Sequence, residues 1–188
     1  MTSMFFVMLV LFVLVVALLH KKITAIDKEK EATEAQLQVI KEIVTSTEHI
    51  DSNYFEYSEE HKKHVLTIHV QFKRGSAALN DIDKKTQEDL IKAGKSIQGL
   101  IDEITSKHPN IQYLLLIEGQ ASKDLYNQNY ELSYRRALTL KMLWENNGIN
   151  FGKKCEVVIG GNGDGRLSGT NFMREKVESK NQRFLIHI

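Results

Sequence analysis

An uncharged apolar run near the N-terminus constrains this chain more than any other feature of its sequence. Residues 4–19 read MFFVMLVLFVLVVALL and contain no charged residue, glycine or proline. A helix of this length extends roughly 24 Å at about 1.5 Å per residue, and the hydrocarbon core of a bilayer is about 30 Å thick. The run therefore predicts a short single transmembrane anchor, to which we assign residues 1–20.

Two alternatives to an anchor fit the same run. A secretory signal peptide has Lys or Arg before its apolar part and an A-x-A-like exit, whereas here the run leaves through VALLHKK with no basic residue ahead of it. A buried core helix is the second alternative. Lys21 and Lys22 favour a cytoplasmic C-terminus by the positive-inside rule, but that rule is weak for long translocated domains, so charge alone leaves the orientation open.

Residues 21–50 are predicted to form a helical stalk. Spacings of three and four residues alternate along it, as in the a/d seam of a heptad repeat, at Ile23, Ile26, Lys30, Thr33, Leu37, Ile40 and Val44. The pattern predicts a short parallel coiled coil that makes a homodimer, weakened by the two polar positions. The alternative is a lone amphipathic helix that lies on the bilayer or on the domain that follows.

Composition excludes several classes of protein. Charged residues make up 26% of the chain and the net charge is +1, so the strongly basic face of a nucleic-acid-binding protein is not expected. The single cysteine, Cys155, excludes an intramolecular disulfide. After the anchor, about 168 residues remain, which is enough for one domain and a stalk.

The domain over residues 51–188 reads as a mixture of strands and helices. Pro109 closes the first predicted helix and Gly148 ends the second. Residues 111–117 are continuously apolar, which predicts a strand buried on both faces. The predicted strands are residues 54–57, 65–72, 111–117, 155–159 and 183–188, a turn lies at 61–64, a loop at 160–169, and helices cover 83–107 and 127–146. From residue 65 onward, this β-α-β-α-β-β order predicts an α/β sandwich with helices packed on a mixed sheet.

Four fragments of this domain resemble one known family. They are FKRGSAAL at residues 72–79, IEGQAS at 117–122, NYELSYRRA at 129–137 and NQRFLIHI at 181–188. In this order they resemble the OmpA-like domain, which also occurs in MotB-type stator proteins and peptidoglycan-associated lipoproteins. The resemblance covers residues 65–188, and its specific element is N-x-x-L-S-x-x-R-A. It implies non-covalent binding of peptidoglycan and no chemistry upon it.

The resemblance also implies which residues form the binding pocket. Arg136 matches the family's guanidinium, and Asn129 and Leu132 match the residues that shape the same pocket. Gly119 and Ser122 are expected at its rim. A fixed guanidinium suits this role because it grips the carboxylates of a wall peptide bidentately.

The chain departs from the family at the acidic partner of that guanidinium. The family's G-H-T-D is replaced by residues 119–122, GQAS, so the carboxylate that meets a ligand ammonium is missing. Losing a charge-assisted contact weakens binding by roughly 1.5 to 3 kcal/mol. Asp124 lies two residues further on and is expected to substitute only if the loop is rebuilt. The family's C-terminal N-R-R has also become Asn181, Gln182 and Arg183.

The N-terminal run resembles a MotB-type transmembrane helix just after its ion-carrying aspartate, but residues 1–19 contain no acid. An acid inside the membrane is what an ion-driven stator needs. One hypothesis is that the true start lies a few residues upstream of Met1 and carries this acid. The chain would then be the B-subunit of a stator with a multi-span MotA-like partner, in the bacterial inner membrane with its C-terminal domain in the periplasm. The alternative is a passive structural tether or a protein-binding envelope module.

Enzymatic and metal-binding functions are not expected. His61 and His64 lie three residues apart in a predicted turn, without a further cysteine or carboxylate to complete a metal site. The glycine-rich stretch at residues 160–165 lacks the Lys-Ser/Thr of a phosphate-binding loop and the acids of a calcium loop. We therefore predict no enzyme activity, no metal and no cofactor.

Overall fold

A computed structural model of the chain describes residues 2–48, 50–124, 126–166 and 173–188. The chain divides into two compact units, Met1–Thr45 and Ser46–Ile188. Helix α1 (Thr2–Glu48) is continuous over 47 residues and makes up the first unit, while its last turn belongs to the second. The second unit contains five strands and the two helices predicted from the sequence.

Helix α1 confirms that the stalk is helical. Large apolar side chains described in its N-terminal part, from Phe6 to Leu19, are between 47% and 67% exposed. The apolar a/d positions of the stalk are also exposed, so pairing with a second copy stays a prediction. Among the described residues, no helix is both long and apolar enough to cross a membrane.

The five strands form one mixed sheet. They are β1 (Phe55–Ser58), β2 (Lys63–Leu66), β3 (Tyr113–Gly119), β4 (Cys155–Gly161) and β5 (Phe184–His187), in the order β1-β2-β5-β3-β4. Strands β3 and β4 are parallel, and all other pairs are antiparallel. The last strand of the chain therefore lies in the middle of the sheet, between the β1–β2 hairpin and β3.

Both predicted helices are confirmed, with ends that follow from their capping residues. Helix α2 covers Lys84–Lys107, and the carboxylate of Asp83 accepts a hydrogen bond from the Thr86 amide at 3.0 Å. Helix α3 covers Asn129–Asn146. Gly148 follows α3 with a φ of +75°, and the Ile149 amide donates to the Trp144 carbonyl at 3.0 Å. These features form a Schellman motif, which terminates the helix.

Three details of the predicted strands are wrong for tertiary reasons. The strand expected over residues 65–72 ends at Leu66, because its partner β5 has only four residues and β2 has no ladder to continue. Lys63 and His64, expected in a turn, lie in β2 instead. Strand β3 is buried on one face only: Leu115 is fully buried, whereas Leu114 on the opposite face is 55% exposed.

The core lies where α2, α3 and the sheet meet. Apolar residues of α2 at helical spacing are buried there, including Leu90, Ile97 and Ile101. The indole N–H of Trp144 in α3 donates to the Leu90 carbonyl at 2.8 Å, so the two helices share a buried hydrogen bond as well as apolar contacts.

Candidate functional site

A cleft of about 320 Å³ lies beside the first half of α3. Four of the five predicted site residues line it, namely Arg136, Asn129, Leu132 and Ser122. The remaining lining residues come from the segment after β2, the loop after β3 and the segment before β5; they are Phe72, Arg74, Gly75, Ala121, Asp124, Tyr126 and Gln182. The structure thus brings together most of the residues that the motif had singled out.

Helix α3 presents its part of the cleft through its spacing. Asn129, Leu132, Ser133 and Arg136 follow one another at i, i+3, i+4 and i+7, and all four are buried. Residues at these spacings share one helix face. The N-x-x-L-S-x-x-R element is therefore the inward face of a single helix.

The guanidinium of Arg136 is buried, and no described carboxylate is paired with it. The residue is 4% exposed, its Nε donates to the Ser76 carbonyl at 3.1 Å, and its Cζ lies 4.6 Å from the ring centre of Phe72. Among the described residues, no carboxylate forms an ion pair with it. Burial lowers the pKa of Arg136 to about 10, against the opposing influence of Asp124 and Asp81.

This arrangement favours an anionic ligand. A buried cation without a paired anion has lost hydration that no protein group replaces. One hydrogen bond and the face of Phe72 hold the Arg136 side chain, and a guanidinium has five N–H donors in a rigid fork. A carboxylate in the cleft would satisfy the remaining donors bidentately.

Asp124 supplies a carboxylate to the same cleft. Its Oδ1 accepts hydrogen bonds from the Asn129 side-chain amide at 3.0 Å and from the Tyr126 backbone amide at 2.9 Å. The hydrogen bond from Asn129 holds the pKa of Asp124 below its ordinary value, and the nearby charge of Arg74 lowers it further. The hydrogen bond from the amide two residues later is the bond of an Asx-turn, which the structure shows and the sequence did not predict.

Asn129 organises the loop that carries Asp124. Its side-chain amide lies within hydrogen-bond distance of three oxygens, the Ser122 carbonyl at 3.2 Å, Asp124 Oδ1 at 3.0 Å and Asp164 Oδ2 at 3.3 Å. Asn129 is almost fully buried. Its role is therefore to fix the loop after β3 and the loop after β4 at the edge of the cleft.

The hydroxyl of Ser122 has both of its hydrogen-bonding roles filled within the protein. It donates to the Glu178 carbonyl at 3.0 Å and accepts from the side-chain amide of Gln182 at 3.0 Å. Ser122, expected at the rim of the pocket, is one of the residues that line the cleft, and its hydroxyl ties the loop after β3 to the segment before β5.

Gly119 lies under α3 and not among the residues that line the cleft. A Cβ added to Gly119 would lie 2.1 Å from the backbone oxygen of Ser133. Its neighbour across the parallel ladder, Gly161, would place a Cβ 2.7 Å from the Tyr134 amide. These two glycines let α3 rest directly on β3 and β4, which positions Arg136 three residues beyond Ser133 on the same helix.

Two of the three residues at 181–183 serve the structure around the cleft. Arg183 Nε donates to the side-chain oxygen of Gln120 at 3.1 Å, its guanidinium pairs with Glu175 at 3.5 Å, and burial lowers its pKa. The Asn181 side chain accepts from the Glu175 amide and donates to the Glu175 carbonyl. Gln182 alone of the three lines the cleft.

The glycine-rich loop after β4 is described as far as Arg166, and the rest of the predicted loop, residues 167–169, lies outside the described residues. Asp164 is buried and pairs with Arg166, and the Gly163 amide donates to Ser133 Oγ at 2.8 Å. In the parts of the chain that the structure describes, no three His, Cys, Asp or Glu side chains are grouped to hold a metal ion.

No protein-family model and no curated protein matches the chain. Its structure is similar to the periplasmic domain of Helicobacter pylori MotB, with a TM-score of 0.44, 16% identity, and coverage of 70% of this chain and 84% of that one. An outer membrane protein of Borrelia burgdorferi gives a TM-score of 0.42 and 19% identity over 71% of this chain and 94% of that one.

A longer crystal structure of a MotB periplasmic domain has the same TM-score of 0.44 and identity of 16%, over 70% of this chain. The chain spans 65% of the length of that structure.

Proposed function

We propose that the cleft beside α3 binds peptidoglycan non-covalently, through the carboxylates of its peptide stems. The observation that carries this proposal is the guanidinium of Arg136, which is buried in the wall of an open cleft and has no carboxylate partner among the described residues. A buried charge that the protein leaves unpaired is stabilised by a ligand of opposite charge. The motif that contains Arg136 resembles that of peptidoglycan-binding domains.

The other polar groups of the cleft support the same ligand class. Asp124 provides an anion where the family's usual aspartate is replaced by Ser122, and its lowered pKa keeps it ionised at neutral pH. A stem residue that carries both a carboxylate and an ammonium group, such as diaminopimelate, would contact Arg136 with the first and Asp124 with the second. The ring of Phe72 and the side chain of Leu132 provide apolar walls between them.

The binding proposal is tested by co-sedimentation of the full chain, in detergent, with purified diaminopimelate-containing sacculi. We expect Arg136→Gln to weaken retention about 10-fold to 100-fold, because a charge-assisted contact contributes roughly 1.5 to 3 kcal/mol. Arg135→Gln is the matched control, since Arg135 is exposed and pairs with Glu131 on the outer face of the same helix. Equal retention of the Arg136→Gln and wild-type proteins would overturn the proposal.

We further propose that the chain is a bacterial envelope protein. In this proposal, residues 1–20 hold it in the inner membrane, residues 21–50 pair with a second copy, and the domain faces the periplasm. It rests on the apolar run and on the heptad spacing of the stalk, whose apolar a/d side chains are exposed in the single chain. If residues 1–20 anchor the chain, we expect it to resist extraction from membranes by carbonate. If the stalk pairs with a second copy, we expect two Ile40→Cys chains to form a disulfide cross-link.

The sharper form of the envelope proposal is the B-subunit of an ion-driven stator, and its alternative is a passive tether or a protein-binding module. The two differ in their membrane partner. Purification of the full chain from its native membrane should recover a multi-span MotA-like protein if it is a stator subunit. Recovery of the chain without such a partner would favour the tether.

A further inference from the structure

We propose that Arg74 is a second carboxylate-binding group of the cleft, so that the preferred ligand carries two carboxylates and one ammonium group. This inference rests on the proposed binding of wall peptide and adds a specificity-determining residue to it. Arg74 is not part of the motif that singled out Arg136, and the sequence alone did not mark it. Two observations support this role for Arg74: its position in a hydrogen-bonded tight turn, and the excess of positive charge among the residues that line the cleft.

The position of Arg74 is set by a tight turn over residues 73–76. The Ser76 amide donates to the Lys73 carbonyl at 3.0 Å, and Gly75 has a φ of +69°, as the third residue of such a turn requires. A Cβ on Gly75 would lie 3.7 Å from the ring of Tyr126, so the aromatic ring packs against the turn. Arg74 is the second residue of this turn and lines the cleft.

The same turn is bonded to α3 next to Arg136. The Ser76 carbonyl accepts from Arg136 Nε at 3.1 Å, and the Ala77 carbonyl accepts from Thr139 Oγ1 at 2.7 Å. The backbone that orients the buried guanidinium therefore also carries the exposed one, two residues earlier in the chain. The cleft therefore contains two guanidinium groups, the buried one of Arg136 and the exposed one of Arg74.

The charges that line the cleft are not balanced. Arg74 and Arg136 supply two positive charges, and Asp124 is the single acidic residue among the described lining residues. In the described part of the chain, no carboxylate pairs with Arg74, although its charge acts on Asp124. The adjacent Lys73, by contrast, is paired with Asp81 at 3.3 Å. A ligand with one more carboxylate than ammonium group would neutralise the cleft.

The test uses the full chain in detergent and two synthetic wall tripeptides that contain D-glutamate and diaminopimelate. In both peptides the N-terminus is acetylated and the C-terminal carboxylate of diaminopimelate is an amide. The first peptide therefore carries two carboxylates, the glutamyl one and the side-chain one of diaminopimelate, with one ammonium group. In the second peptide the glutamyl carboxylate is converted to the amide. At low salt the wild type should bind the free acid about 1.4-fold to 5-fold more tightly than the amide, the range for an exposed ion pair. This preference should disappear at about 1 M salt, where the Debye length is about 3 Å.

Three variants separate this inference from the proposed function. Arg74→Gln should bind both peptides equally, at the affinity of the wild type for the amide, whereas Arg135→Gln should behave as the wild type. Arg136→Gln should weaken both peptides. If the wild type binds both peptides equally, or if Arg74→Gln keeps the preference, the inference is overturned while the proposed function stands. If the wild type binds neither peptide, both fail.

Discussion

Replacing Gly119 by alanine should destabilise the domain through a backbone collision. The added Cβ would lie 2.1 Å from the Ser133 carbonyl oxygen, whereas ordinary contacts begin at 3.4 Å. Helix α3 and strand β3 would have to separate by about 1.3 Å, and a backbone oxygen cannot rotate away as the end of a flexible side chain can. Overpacking of this kind costs roughly 1 to 3 kcal/mol, and we expect the upper end, about 3 kcal/mol.

Thermal unfolding followed by tryptophan fluorescence measures this effect. Trp144 is the single tryptophan and is almost fully buried, so its emission reports on the packing of α3. A loss of about 3 kcal/mol lowers Tm by roughly 10 °C for a domain of this size. Gly99→Ala is the matched control: nothing lies within 4 Å of its added Cβ, and it should raise stability by up to about 1 kcal/mol.

The Gly119→Ala variant should also bind sacculi more weakly, because Ser133 precedes Arg136 by less than one turn of the same helix. A Gly119→Ala protein whose Tm lies within about 2 °C of the wild type would refute the reasoning. It would show that the helix is not held against the strand at this residue. Normal stability with lost binding would instead support the rim position expected from the sequence.

Two further predictions concern stability. Asp83→Ala should lower the free energy of unfolding by about 1 kcal/mol, because α2 loses its N-cap. The shift in the urea midpoint measures this change, and Lys84→Ala is the exposed control. His64 is buried in β2, and burial lowers its pKa below the ordinary value of 6.5. Below pH 6.5 the unfolded chain therefore binds more protons than the native one. The stability of the wild type should fall there relative to His64→Gln, and parallel pH curves for the two proteins would contradict this.

Helix α2 was predictable because its signals are local. Asp83 caps the first turn, an apolar stripe repeats at helical spacing, and Pro109 prevents continuation. The end of β2 at Leu66 was not predictable in this way, because it depends on the length of β5, which lies far away in the sequence. The exposure of Leu114 likewise depends on which face of the sheet is covered.

The residues of the candidate site likewise divide into those that local sequence predicts and those whose positions depend on tertiary contacts. The spacing of Asn129, Leu132 and Arg136 is a property of one helix, so a motif can capture it. Asp124 and Arg74 reach the cleft through a loop and a turn whose positions are set by bonds to α3. Those bonds join residues that are remote in sequence, so no local sequence pattern predicts that Asp124 and Arg74 line the cleft. The packing role of Gly119 was not predictable for the same reason, because the residue that it packs against, Ser133 of α3, lies 14 residues later.

The central position of β5 sets the order in which this domain can be completed. In the described part of the chain, the β1–β2 hairpin and the β3–β4 pair share no ladder with each other, and β5 joins them. The two halves of the sheet can therefore meet only once β5 is available, and pairing between residues so far apart in sequence is slow. Removing β5 would leave both halves of the sheet without their common neighbour.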